Sequence, residues 1–193
     1  MEDRDSGQRK ENLEENAIVL DYLPTGRSTS IRPEPVVQIL GADRFTLLEA
    51  VPKVPDIKVG ETVYIGKGDR NKISVIKGRL QYNDLTEASK RELPNAVSEV
   101  IKSNEAKFVG LFNTASPINI RMHALELLPG VGKKHLTAIL DARDEKNFES
   151  FEDIAKRVPL LQDPVKLLCD RVILELKGES RFYILTRPPQ HRY

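Results

Sequence analysis

Cysteine is almost missing from this chain: Cys169 is the only one in 193 residues. No intramolecular disulfide can form, and four-cysteine zinc or iron–sulfur centres are excluded. Long apolar runs are missing as well. No stretch approaches the roughly 20 residues of a membrane-crossing helix. The opening MEDRDSGQRKENLEEN lacks the apolar core of a secretory signal. A cytoplasmic location and no membrane partner are therefore expected. The three histidines, His123, His135 and His191, show no ligand spacing. The glycine-bearing GKGDRNK lacks the Gly-Lys-Ser/Thr ending of a phosphate loop. Neither a metal nor a cofactor is expected.

Net charge is also small, at +1, so the total does not announce a nucleic-acid binder. Its distribution is uneven. Residues 1–16 carry six acidic and three basic side chains, whereas residues 177–193 carry four basic and one acidic. The acidic head has only Met1 and Leu13 as apolar side chains, which cannot repay the cost of ordering. A mobile tail is expected over 1–16.

What is present divides in two. Residues 17–82 read as five short strands, AIVLDYL, PVVQILG, RFTLLEAV, ETVYIGKG and KISVIKGRLQY, separated by turn signals. Strands at this spacing with no helix between them predict a small β-barrel, OB-like first and SH3-like second. Residues 83–178 switch to helical periodicity. Ser116 and Pro117 read as an N-cap and first helical residue, with Ile118, Met122 and Leu125 along one face. Leu136, Ile139 and Leu140 mark another helix. Ser150 with Asp153 starts a short one, and Asp163, Pro164 and Gly178 bound the last. Its inner face is Val165, Leu168 and Val172. The fold class expected is α+β, a barrel followed by an all-helical domain. The tail from 179 to 193 is basic, and its RFYILTR could return to the barrel as a strand.

The corner LLPGVGKKH, Leu127–His135, carries the chemistry. Pro129 stops one helix. Gly130 and Gly132 supply backbone freedom and bare amides, and Val131 plugs the gap between the helices. The next helix begins near Gly132, with its first amides lacking intrahelical acceptors and its dipole positive. Lys133 and Lys134 add two cations there, a cost to the helix unless an anion balances it. A phosphate fits that description.

This stretch resembles the helix-hairpin-helix motif, hydrophobic–Pro–Gly–hydrophobic–Gly followed by polar residues, with the hairpin at 128–133. FESFEDI, Phe148–Ile154, resembles the link in the RuvA- and ComEA-like tandem form. Its second hairpin would be VPLLQDP, Val158–Pro164, which has no Gly-x-Gly. The whole layout, through LFNTASPINIRMHALELLPGVGKKH and VGETVYIGKGDRNKI, resembles a family of uncharacterised archaeal proteins with a barrel and a helix-hairpin-helix region. The resemblance implies sequence-blind binding of a nucleic-acid backbone, RNA ahead of DNA. The candidate contacts are Gly130, Val131, Gly132, Lys133 and Lys134. His135, Arg27, Arg32, Lys67, Arg70 and Lys72 are secondary candidates.

An enzyme is not expected. Helix-hairpin-helix glycosylases need a catalytic aspartate in a Val-Asp-Thr-like segment. Here Phe151 and Glu152 lie at that distance, although Lys134 could fill a lysine role. Asp141 and Glu145 share a helix face but sit beside Arg143 and Lys146, as solvated helix ends do. The alternative function is a protein-interaction scaffold in a translation or repair complex.

Overall fold

Strand-forming and helix-forming sequence segregate along this chain, and the fold follows. The computed structural model describes residues 14–27 and 33–188. It divides into two units between Ala96 and Val97.

The first unit holds β1 (Asn16–Leu23), β2 (Val36–Gly41), β3 (Leu47–Pro52), β4 (Thr62–Tyr64) and β5 (Ile73–Arg79). All five expected strands are present. They form one antiparallel sheet in the order β4-β1-β2-β3-β5, curled into a half-barrel. Val19 pairs with Ile39, and Ile39 with Leu48. These three, with Val37, Ala50, Val63 and Ile73, form the apolar core. The two edge strands are tied at their starts, where Lys72 Nζ meets Glu61 Oε2 at 2.6 Å. β2 is buried along its whole length. Its one polar residue, Gln38, is hydrogen-bonded at both ends of its amide, which donates to the Asp84 carbonyl and accepts from Thr86 N–H and Ser89 Oγ.

The tail expected over 1–16 lies outside the described residues as far as Leu13. Glu14 is buried, and its carboxylate accepts the amides of Asp43, Arg44 and Thr46 at 2.7, 3.1 and 3.1 Å. Gly41 makes room for it, since a Cβ there would lie 2.2 Å from the Glu14 carboxyl carbon.

Helix α1 (Glu87–Ser103) spans the division and runs through Pro94. A proline removes one amide but is compatible with helical φ, and buried Leu93, Val97, Val100 and Ile101 hold the helix together on one side. The second unit contains α2 (Glu105–Thr114), β6 (Pro117–Asn119), β7 (Met122–His123), a 3-10 turn over Ala124–Leu127, α3 (Lys133–Glu145), α4 (Phe151–Arg157) and α5 (Pro164–Lys177). Ser150, Asp163 and Gly178 bound their helices as expected.

Two expectations fail here. The helix predicted from Ser116 is a two-stranded hairpin followed by the 3-10 turn. Asn119 Oδ1 accepts the Arg121 amide at 2.9 Å, and His123 Nδ1 accepts that of Leu125. Local side-chain bonds of this kind compete with helix. Ile118 and Ile120 are exposed, and only Leu125 of the expected face is fully buried. The tail segment RFYILTR is not a strand either. The amides of Ile184, Leu185 and Thr186 all donate to the Glu175 carboxylate, at 2.9, 3.1 and 2.7 Å, so they are spent before any strand can use them.

Candidate functional site

The corner at Leu128–His135 is a tight turn followed by a helix. Val131 N–H donates to the Leu128 carbonyl at 3.0 Å. Gly130, two residues into the turn, has φ of 87°. Proline followed by a residue of positive φ is the type II arrangement, and glycine is the residue that tolerates it. Leu128 and Val131 point inward, 1% and 5% exposed. They anchor the turn in the core.

Gly132 has a different role. Its φ and ψ are −89° and 179°, an ordinary N-cap conformation, and it brings no side chain to the first amides of α3. A Cβ placed on it would meet nothing within 4 Å. Of the two glycines expected to supply backbone freedom and bare amides, Gly130 uses the freedom, whereas Gly132 leaves the amides of the helix end open to solvent. No acidic residue lies in the first turn of α3. Lys133 and Lys134 are exposed there, without an ion-pair partner among the described residues. His135 is half-buried, and its Nδ1 donates to the Gly130 carbonyl at 3.0 Å, which pins the turn to the helix.

The turn Val158–Leu161 shares the closing bond, Leu161 N–H donating to the Val158 carbonyl at 2.9 Å, but not the backbone angle, since no residue in it has a positive φ. Val158 and Leu161 are buried like Leu128 and Val131. The side chain of Gln162, just past this turn, reaches toward the first one: a methyl group on Gly130 would come 3.7 Å from its Nε2. Their helix ends differ. Asp163 caps α5 with its own carboxylate, 2.9 Å from Val165 N, and Pro164 contributes no amide.

The secondary candidates in the sheet unit are mostly committed elsewhere. Arg27 Nε meets Glu49 Oε2 at 2.5 Å. Lys72 is held by Glu61, whose carboxylate raises the lysine pKa through the hydrogen bond and its charge, against the opposing effect of desolvation. Arg70 Nε donates to the Gly66 carbonyl at 2.8 Å. Lys67 is exposed. Arg32 lies outside the described residues. Among the described residues no group of three His, Cys, Asp or Glu is placed to hold a metal ion, and no helix is long and apolar enough to cross a membrane.

A family model described as "Protein of unknown function (DUF655)" matches residues 13–187, nearly the whole chain. The chain belongs to the DUF655 family. It is similar to "Uncharacterized protein MJ0038" of Methanocaldococcus jannaschii, at 40% identity over 182 residues, spanning 93% of this chain and 82% of the relative. It is also similar to the crystal structure of Af1531 from Archaeoglobus fulgidus, at 46% identity and a TM-score of 0.83, covering 90% of this chain and 100% of that one. The structural match supports the mixed α+β architecture, a curled sheet followed by helices.

In this DUF655 chain the residues that hold the corner in place were not singled out from the sequence. Arg171 is buried at 5% exposure beside Glu175 at 0%, with Nε and Oε1 2.8 Å apart. Arg171 also donates to the Leu127 carbonyl at 3.1 Å, immediately before the turn, and to Ser180 Oγ and the Phe182 carbonyl. The signal was available: Arg171 and Glu175 fall three and seven residues after Leu168, on the face expected to be apolar. Arg143 donates to the Phe112 and Ala115 carbonyls, joining α2 to α3. Arg157 donates to the Ala142 and Lys146 carbonyls at the end of α3. Arginine suits this work because its guanidinium offers several donors in a fixed plane.

His123 is buried, and its pKa is lowered by desolvation first and by the nearby charge of Arg143 second, against smaller raising effects of Glu126 and a backbone contact. Cys169 is packed into the core of α5, where burial pushes its thiol up to about 11, so it is a poor nucleophile at neutral pH.

Proposed function

We propose that this protein binds nucleic acid, RNA ahead of DNA, without reading sequence, by gripping a backbone phosphate at the Leu128–His135 corner, as a helix-hairpin-helix does. The observation that carries the reading is the α3 N-terminus. Gly132 leaves its amides uncapped and open to solvent, and Lys133 and Lys134 stand exposed at the positive end of the dipole. Two cations there oppose the helix dipole, and an anion relieves both. The amides supply fixed donors to phosphate oxygens, and the lysines supply mobile charge. The curled sheet, read as an OB-like barrel, offers a second surface through Lys67 and half-exposed Tyr64.

Fluorescence anisotropy with labelled RNA and DNA across a salt series tests this. With ~3–5 phosphates neutralised, affinity falls roughly one to three powers of ten between about 50 and 200 mM salt. In the variant Lys133→Ala/Lys134→Ala the slope of log affinity against log salt drops by about 1.4–1.8. A flat salt response, or a double variant that binds like the parent, refutes the phosphate site.

A further inference from the structure

We infer that the C-terminal segment Glu179–Arg187 is a strap that opens and closes as one unit, and that its docked state fixes the turn at Leu128–Val131 through Arg171. The chain leaves α5 at Gly178, whose left-handed backbone, φ 75°, reverses its course. Five hydrogen bonds then tie the segment to α5. Ser180 Oγ and the Phe182 carbonyl accept from Arg171. The amides of Ile184, Leu185 and Thr186 donate to Glu175. Every one of these bonds ends on a single buried ion pair. A buried carboxylate that loses one donor must draw in water, which weakens its other bonds. The strap therefore opens whole and does not fray from one end.

Docking is weakened at one point. Thr186 brings the shortest of the three amide bonds, 2.7 Å to Glu175 Oε2, yet its hydroxyl oxygen is buried with no hydrogen-bond partner among the described residues. An unpaired polar group destabilises the docked state and not the open one. The side chains from Phe182 to Arg187 are all half-buried, so the apolar burial that opposes release is partial.

The guanidinium of Arg171 is shared between strap and turn. Nη2 serves the strap, and Nη1 donates to the Leu127 carbonyl at 3.1 Å. The next residue, Leu128, offers the carbonyl that closes the glycine turn on Val131 N–H. The fork of an arginine is planar and rigid, so its two ends are not placed independently. With the strap docked, the fork is fixed and the Leu127 carbonyl has a buried donor. With the strap open, water reaches the guanidinium and that bond loses much of its hold. The linkage is reciprocal: whatever closes the turn favours docking by the factor by which docking favours the turn. It does not depend on what the corner binds.

Native-state amide hydrogen exchange of the full chain, read residue by residue by NMR, tests this. In the parent the amides of Ile184, Leu185 and Thr186 exchange together, about tenfold or more faster than those in the middle of α2. Thr186→Val replaces the stranded hydroxyl by a methyl group, and the strap amides slow roughly fivefold or more. Val131 N–H slows with them, by about twofold or more. Thr186→Pro deletes an amide that Glu175 holds. Ile184 and Leu185 then exchange roughly tenfold faster, and Val131 moves in the same direction. Circular dichroism checks that both variants keep their helices. Strap amides that exchange no faster than α2 in the parent overturn the inference, because the segment then opens only with the whole unit. Strap amides unmoved by Thr186→Val overturn it as well. So does Val131 exchange that stays parental in both variants while the strap amides shift, and so does an equal shift at α2, which marks a global change in stability.

Discussion

Replacing Gly132 with aspartate separates the two roles a glycine at this position could have. The backbone there, φ −89° and ψ 179°, is one that aspartate adopts at N-caps. A Cβ meets nothing within 4 Å, so the substitution brings no clash. The new carboxylate accepts the first amides of α3 and lies beside Lys133 and Lys134. Capping gains a few tenths of a kcal/mol over glycine, and a negative charge at the dipole adds about 0.3–1 kcal/mol. For a chain of this size the sum raises the melting temperature by about 1–4 °C. Binding moves the other way. A phosphate must now displace the carboxylate from the amides and stand within about 5 Å of it, which together cost about 2–4 kcal/mol. That is a loss of thirtyfold at the least, about 1.4 kcal/mol being tenfold. Thermal unfolding followed by circular dichroism, with anisotropy on the same samples, reads both numbers. A variant that is at least as stable as the parent and still binds like it removes the α3 N-terminus from the interface.

Three further outcomes are expected. Glu175→Ala leaves Arg171 charged and buried and strips the amides of Ile184, Leu185 and Thr186 of their acceptor, so stability falls by about 3–5 kcal/mol, read by urea unfolding; a loss below about 1 kcal/mol would show that the pair is solvated. His123 is held neutral in the fold, so its contribution is complete above its unfolded value of 6.5 and is lost as pH falls from there through the lowered folded value. In His123→Asn, which keeps a capping side chain, the drop in melting temperature on acidification between pH 7 and 5 is smaller than in the parent, and identical pH profiles would refute this. Cys169, with its thiol pushed up to about 11, reacts with a thiol-specific disulfide reagent in native protein only on the timescale of unfolding; rapid labelling at pH 7.5 would contradict its burial.

Local chemistry made much of this fold legible. The five strands were visible because apolar runs of strand length are cut by glycine, proline and asparagine turns. Helix starts at Ser150 and Asp163 were visible because a capping side chain and its amide are neighbours in sequence. The order β4-β1-β2-β3-β5 was not, since β3 pairs with β5 across β4 through long-range packing that strand propensity does not encode. The Ile118, Met122, Leu125 pattern misled because Asn119 and His123 bind nearby amides more readily than a helix would. RFYILTR misled because a buried carboxylate from another element claimed its amides. At the corner, the positive φ of Gly130 was readable from Pro-Gly, whereas the openness around Gly132 depends on what the fold leaves empty. The place of Arg171 on the apolar face of the last helix was readable, but not the carbonyls it serves, which come from residues far away in sequence.

The clamp around Arg171 also sets an order of events. It joins Leu127 to Ser180 and Phe182 across more than fifty residues, and Glu175 completes it only when the amides through Thr186 have arrived. During synthesis from the N-terminus, the sheet unit has all its strands well before these residues exist. The carbonyl that leads into the glycine turn has no permanent donor until then. The corner thus waits for its last anchor on residues made about fifty positions after its own.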